Sequence, residues 1–147
     1  MSKQVSETLQ EMLGILKQGQ MTEGQKIYFA DSVVTQEGNQ PPIVGKQASI
    51  ERLDTFRETI GVAAFISYAI GAVAVAGNTS FYDAVLTLKL KNGKTISLEQ
   101  VVKTDWRDGK IVGRTTSAMF GHTVGRAVAL GYVRRDDGPI NAEWLKA

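Results

Sequence analysis

The amino-acid sequence predicts an α+β fold in which three N-terminal helices pack on a curved antiparallel sheet. Helical periodicity is confined to the part of the chain before Gly61, and period-two alternation follows it. Short turn signals then divide the alternating part into strands. Helices that come first and pack on one face of such a meander form a cone with an apolar mouth, a common place for a small ligand.

The three helices are predicted from apolar residues spaced three or four apart. Their predicted ranges are 4–18, 23–30 and 46–60. Gly19 is expected to end the first helix and Gly61 the third. Thr22 followed by Gln25 has the pattern of a capping box, which predicts the start of the second helix.

Five strands are predicted from alternating apolar and polar residues. Their ranges are 31–38, 62–76, 81–90, 95–106 and 111–116, and the "NQPP" segment before the third helix is expected to be a loop. The apolar segment 62–76 is expected to be a buried strand rather than a membrane span, because Ser67 and Gly71 interrupt it. "KNGK" at 91–94 is a strong hairpin signal.

Composition narrows the function classes. The chain has 147 residues, a net charge of +2, no cysteine and a single histidine, His122. The sequence therefore predicts no disulfide, no metal site and no cofactor, and it lacks the basic stripe that nucleic-acid binding requires. No apolar run is long enough to span a membrane, and the polar N-terminus is unlike a signal peptide, so a cytoplasmic protein is expected.

Three phrases resemble the nuclear transport factor two-like superfamily, also called cystatin-like or SnoaL-like. They are "YFADSVVTQEGN" at 28–39, "PPIVGKQAS" at 41–49 and "VVKTDWRDGKIV" at 101–112. The resemblance covers about residues 5–116 and implies a cone-shaped domain spanning residues 1–116. That superfamily includes ketosteroid isomerases, polyketide cyclases, dehydratases and transport adaptors, so the fold does not select one function.

The resemblance implies one candidate catalytic residue. Glu37 stands where the isomerases of that superfamily carry a carboxylate base. Their two oxyanion donors, a tyrosine and a protonated aspartate, fall near Leu13 and Val102 in this sequence. Isomerase activity is therefore not expected, although Glu37 remains a candidate base; its alternative is an exposed residue at a strand end.

Six further residues are candidates for ligand binding in the cone. Gln100 falls on the apolar face of its strand, where an unpaired amide would be costly, so it is expected to bind a ligand, water or a neighbouring chain. Strand twist or a bulge is the alternative, since either would turn Gln100 outward. The aromatic candidates, for which simple core packing is the alternative, are Tyr28, Phe29, Phe65, Tyr68 and Trp106.

The end of the chain resembles a second family. "GRTTSAMFGHTVGRAVALGYVRRDDG" is similar to part of the C-terminal barrel of the folate-dependent aminomethyltransferases, the glycine cleavage T-protein family. No folate-binding or catalytic residue is carried over from it. Residues 117–147 are expected to dock on the cone domain or on a dimer partner, because the segment around 127–133 is strongly hydrophobic. A natural extension and a chimera remain alternatives.

Together these features predict a domain that binds a small apolar molecule, with its catalytic ability left open. A homodimer formed through the open face of the sheet is expected. The alternatives are a non-catalytic dimerisation or scaffold module, whose cone is filled by its own side chains, and a recombined or engineered chain without a selected function.

Overall fold

The computed structural model describes the backbone of residues 4–121 and the side chains of residues 4–117. The helices are α1 (Val5–Leu16), α2 (Met21–Tyr28) and α3 (Lys46–Ile60). The strands are β1 (Phe29–Glu37), β2 (Ile43–Val44), β3 (Val62–Ala76), β4 (Thr79–Leu90), β5 (Thr95–Arg107) and β6 (Lys110–Gly121). The predicted α+β class and the order of helices before the meander are confirmed. Within these residues no helix combines the length and apolarity that crossing a bilayer requires.

The strands of the described part form one sheet in the order β2-β1-β6-β5-β4-β3. The long strands β3 to β6 make an antiparallel meander, and β2 is antiparallel to β1. β1 instead runs parallel to β6. β1, which follows α2 and precedes α3 along the chain, therefore lies beside the last strand of the meander. As a result β1 and β6 contribute neighbouring side chains to one face of the sheet.

One face of the sheet, here called the concave face, carries the core and receives the helices. Its buried side chains on β4 and β5 alternate with more exposed ones along each strand, and they include Tyr82, Ala84, Leu86, Leu88, Ile96, Leu98, Val102 and Trp106. α1 contributes Leu9, Leu13 and its neighbouring apolar residues to this core. α1 packs over β3 and β4, and α3 packs over β1 and β2. The concave face of β5 and β6 therefore lies between the two helices.

Three local predictions differ from the structure. α2 begins at Met21 rather than Glu23, and its N-cap is Gln20, which makes no side-chain capping bond; the capping-box interpretation of Thr22 was wrong. The "NQPP" segment at 39–42 is free of helix and strand as predicted, but the short strand β2 that follows it was missed. β6 continues to Gly121, so the predicted domain boundary after Thr116 falls inside a strand.

The prediction that residues 62–76 form a buried strand was also wrong. β3 lies at the edge of the sheet, and Tyr68 is its only fully buried side chain. The apolarity of this segment comes largely from alanine, whose small side chain contributes little to a core. Three register shifts against β4 bend the strand, and bulges of this kind curve a sheet and protect an exposed edge from further pairing.

One of these bulges is held by a carboxylate. The Asp83 Oδ1 atom accepts a hydrogen bond from the backbone N–H of Ala72 at 2.6 Å. A Cβ atom at Gly71 would overlap the same carboxylate, so the bulge requires glycine at this position. The close approach of Gly71 to Asp83 explains why a glycine interrupts the alternating segment.

A second register shift decides which side chains of β6 face the core. The pairing of β6 with β5 shifts just after Ile111. As a result Arg114, which pairs with buried Thr104, and Thr116, which pairs with buried Val102, share the concave face with Ile111. Strict alternation from Ile111 predicts the opposite side for both residues, because they lie an odd number of positions away.

Candidate functional site

Two of the predicted ligand-binding residues meet on the concave face. The Tyr68 hydroxyl lies 2.9 Å from Gln100 Oε1 and 3.3 Å from the Tyr82 hydroxyl. A phenol has one O–H proton, and Gln100 Oε1 can only accept. When Tyr68 donates to Gln100, Tyr82 is left to donate to Tyr68. The rings of Tyr68 and Tyr82 pack edge to face with centroids 6.5 Å apart.

This cluster is buried on its tyrosine side and accessible on its glutamine side. Tyr68 is 5% exposed and Tyr82 is 2% exposed, whereas Gln100 is half-buried. Burial raises the pKa of Tyr68 well above that of a free tyrosine, the neighbouring Tyr82 raises it further, and Arg114 acts in the opposite direction. Tyr68 is therefore a neutral hydrogen-bond donor at every physiological pH.

The aromatic residues Tyr28 and Trp106 form a separate cluster. Their rings pack edge to face at 6.4 Å, and the Trp106 Nε1–H donates to Ser80 Oγ at 2.9 Å. Ser80 in turn contacts the Thr104 hydroxyl. Trp106 lies six residues from Gln100 along β5, about 20 Å at the rise of an extended strand. The predicted aromatics therefore do not line one site.

Phe29 and Phe65 have packing contacts that are specific to the fold. Phe29 begins β1, is 4% exposed and belongs to the central core. Phe65 lies over Gly19 in the turn between α1 and α2, where an added methyl group would overlap its ring. Both positions support the helix layer, which is the alternative that the sequence left open for the aromatic candidates.

Glu37 lies at the end of β1, beside Thr116 of β6. Its carboxylate forms an ion pair with Arg52 of α3 at 2.5 Å, and its side chain is 48% exposed. Three strand spacings, about 14 Å along the sheet, separate β1 from Tyr82 on β4. The structure thus places Glu37 at the rim of the concave face, with its charge matched by Arg52.

Sequence reasoning missed three residues between these groups. Arg114 lies on the concave face with Thr35 on one side and Thr104 on the other. The Oγ1 atoms of Thr35 and Thr116 are buried and have no hydrogen-bond partner in the described part of the chain. Strict alternation from Ile111 predicts that Arg114 and Thr116 lie on the opposite face of the sheet. The register shift in β6 moves both to the concave face, so the sequence pattern gave no signal for them.

Two clefts of the described part lie elsewhere. One is lined by Val5, Thr8, Asn78, Trp106, Arg107, Asp108 and Gly109, and a second adjoins it around Ser6 and Val75. Both lie near the start of α1 and the turns that flank β5. Of the predicted ligand-binding residues, only Trp106 lines a cleft of this pair. Among the described residues, no group of three His, Asp or Glu side chains is placed to hold a metal ion.

Solved structures with the same architecture identify the fold. A protein from Mesorhizobium loti described as a SnoaL-like polyketide cyclase superposes with a TM-score of 0.66 and 18% identity, over 78% of this chain and 98% of that one. The described part has the nuclear transport factor two-like fold. A nuclear transport factor two-like protein of unknown function from Burkholderia pseudomallei gives 0.64 and 14%, over 76% and 88% of the two chains.

The second resemblance is also found, and it extends further than the sequence predicted. The family model of the glycine cleavage T-protein C-terminal barrel domain matches residues 85–146. Mitochondrial sarcosine dehydrogenase from Mus musculus is 40% identical over 42 residues, which are 28% of this chain and 5% of that protein. The family match begins inside β4, so the two resemblances overlap across the strands of the nuclear transport factor two-like sheet instead of meeting at β6.

The predictions made for the end of the chain lie outside the described residues. They concern the docking of the segment that follows Gly121 on the cone domain or on a dimer partner.

Proposed function

We propose that this chain is a small-molecule-binding domain whose ligand lies on the concave face of the sheet, against Tyr68, Tyr82 and Gln100. The observation that carries the proposal is the half-buried amide of Gln100. Its Oε1 atom is engaged by Tyr68 at 2.9 Å, and its Nε2 group has no partner among the described residues. An amide fixed by a buried phenol on an apolar face is a typical polar anchor in a ligand site.

Two features favour binding over isomerase-type catalysis. The positions expected to carry oxyanion donors hold Leu13 and Val102, which are 1% and 0% exposed and supply no hydrogen-bond donor from their side chains. The carboxylate of Glu37 is paired with Arg52. A base held in an ion pair, without stabilisation of the resulting enolate, lacks the largest contribution to that reaction.

Native mass spectrometry of gently purified protein tests the proposal. We expect a reproducible added mass of a few hundred daltons on the wild-type chain and its loss in Gln100→Leu. The matched control is Gln47→Leu, since Gln47 lies on α3 and its amide donates to Glu51 on the same helix. A bound mass that persists in Gln100→Leu would contradict the proposed position of the ligand.

The opposite face of the sheet, here called the convex face, favours a second candidate function, homodimerisation. It exposes Val101 (55%) and Phe81 (39%). Glu99 and Lys103 lie on β5 two residues before and after Val101, and both are exposed. A two-fold axis through Val101 would place Glu99 of one copy over Lys103 of the other, as a self-complementary interface requires.

Analytical ultracentrifugation separates this candidate from a monomer. We expect wild type to sediment as a dimer and Val101→Glu as a monomer. Val44→Glu introduces the same charge at an exposed valine of the edge strand β2, three strands away from β5. This variant is expected to stay dimeric. Exchanging both charges, Glu99→Lys with Lys103→Glu, preserves the pairing and is expected to keep the dimer. A wild-type monomer at tens of micromolar would refute the interface.

A further inference from the structure

We infer that the ligand of the concave face carries a single negative charge, with a carboxylate bound by Arg114 between the hydroxyls of Thr35 and Thr116. This inference rests on the proposed function, because it names the chemical class of the molecule that the same face would bind. The apolar part of the ligand would then lie toward Gln100 and Tyr68.

The strand register brings these groups together. Arg114 has Thr35 as its partner on β1 and Thr104 as its partner on β5. Thr116 is two residues further along β6, on the same face, and pairs with Glu37 and Val102. Arg114 is near enough to Tyr68 for its charge to act on the pKa of that phenol. One molecule lying along β6 would therefore contact both Arg114 and the tyrosine cluster.

Two of the hydroxyl groups near Arg114 lack hydrogen-bond partners within the described part of the chain. Thr35 and Thr116 are each 2% exposed, and neither Oγ1 atom has a hydrogen-bond partner among the described residues. Leaving a buried hydroxyl unpaired costs free energy, and a bound molecule that supplies an acceptor would remove that cost. Each hydroxyl has one proton to donate, and a carboxylate has two oxygen atoms that accept.

The charged side chains on this part of the concave face favour the binding of an anion. Glu37 and Arg52 neutralise each other in their ion pair. Arg114 is half-buried and forms no ion pair with any carboxylate of the described residues. This part of the concave face therefore has one positive charge in excess. The guanidinium group is planar and its fork of N–H donors matches one carboxylate, whose single negative charge balances the one positive charge in excess.

The test compares matched acids and amides. Benzoate, 2-naphthoate and decanoate are titrated into the full chain and followed by isothermal titration calorimetry, beside their primary amides. We expect at least one of the acids to bind at least tenfold more tightly than its amide. Arg114→Gln is expected to abolish that preference, and Arg114→Lys, which keeps the charge, is expected to retain part of it.

Lys89→Gln is the matched control, because it removes one positive charge from the convex face at a distance from the Glu99 and Lys103 pair of the proposed dimer interface. It is expected to leave the preference for acids unchanged. Thr116→Val, which replaces a hydroxyl with a methyl group of similar size, is expected to weaken the acid without affecting the amide. It also serves as a second test should Arg114→Gln fail to fold.

The outcomes separate the two proposals. Acids and amides that bind equally, with no effect of Arg114→Gln or Thr116→Val, would refute the anion inference and leave the proposed binding function standing. No binding of any probe to wild type would count against both. An acid preference that survives in Arg114→Gln but is lost in Lys89→Gln would place the anion on the convex face and overturn the inference.

Discussion

The Tyr68 hydroxyl lies 2.9 Å from Gln100 Oε1, and this contact joins the edge strand β3 to β5 across β4. Tyr68 is the one buried residue of β3, in which Val62, Phe65 and Ile70 are half-buried and the other residues are exposed. The contact also fixes the orientation of the Gln100 amide on the concave face. The same contact therefore anchors the edge of the sheet and prepares the polar end of the proposed site.

The first prediction concerns the coupling of this pair. Tyr68→Phe leaves Gln100 Oε1 without its donor, and Gln100→Leu leaves the Tyr68 hydroxyl with Tyr82 alone. Each change is expected to lower the free energy of unfolding by about 1 kcal/mol, the net value of a neutral hydrogen bond. The double variant is expected to lose less than the sum of the two changes. Urea unfolding of the four proteins measures this, and strictly additive losses would show that the contact contributes nothing.

The second prediction is a loss of stability at high pH. Burial raises the pKa of Tyr68 in the folded chain above its unfolded value of 10.0. The unfolded state therefore releases this proton at a lower pH than the folded state. The stabilising contribution is complete below pH 10 and declines as the pH rises above it.

Tyr68→Phe removes this titration and provides the comparison. Between pH 10 and 11.5 the wild-type free energy of unfolding is expected to fall more steeply than that of Tyr68→Phe, by up to about 1.4 kcal/mol per pH unit. Urea midpoints at four pH values measure the difference between the two free energies of unfolding. The titration of the lysines contributes equally to both proteins and cancels in this difference. Parallel pH profiles would contradict the burial of an un-ionised Tyr68.

The third prediction concerns the bulge in β3. Gly71→Ala places a methyl group against the Asp83 carboxylate and is expected to destabilise the fold by about 1–3 kcal/mol, as overpacking does. In an Asp83→Ala background the same change is expected to cost less, because the clashing carboxylate is gone. Gly14→Ala, at a helical position with nothing near its added methyl group, is the control. Thermal unfolding measures all five proteins, and an equal cost of Gly71→Ala in both backgrounds would refute the clash.

The fourth prediction concerns the end of β6. A chain ending at Thr116 loses the backbone pairing of residues 117–121 with residues 97–101 of β5. It is expected to be less stable than a chain ending at Gly121 by at least about 2 kcal/mol, since several ladder hydrogen bonds are lost. Urea unfolding compares the two chains. Equal midpoints would show that this part of β6 contributes nothing.

The same series tests the expected docking of the C-terminal segment. If residues beyond Gly121 dock on the cone or on a partner, the full chain is more stable than the chain that ends at Gly121. Equal stability of these two chains would contradict docking, and it would support the alternative of a chimera with an uncoupled tail.

The sequence predicted the parts of the fold that depend on local periodicity. The core residues of α1 and the alternating faces of β4 and β5 follow directly from it, as does the end of α3 at Gly61, whose left-handed conformation the structure confirms. The edge position of β3 was not predictable in this way. An alanine-rich segment has the same hydropathy whether it lies inside a sheet or at its edge, and strand order is set by long-range pairing.

The site was predicted in part for a related reason. Gln100 was identified because its strand alternates without interruption between Ile96 and Trp106. Arg114 was missed because one extra residue in β6 reverses the alternation that precedes it. Such a register shift depends on the partner strand, so no pattern within β6 alone reveals which face Arg114 occupies.

The most direct test of the central claim is a nuclear magnetic resonance titration of the isotope-labelled chain with the tightest-binding probe of the acid and amide panel. We expect the largest amide shifts to cluster on β4 to β6, around Gln100, Val102 and Arg114. Shifts confined to the cleft around Asn78 and Asp108 would place the ligand at the other end of β5 and contradict a concave-face site.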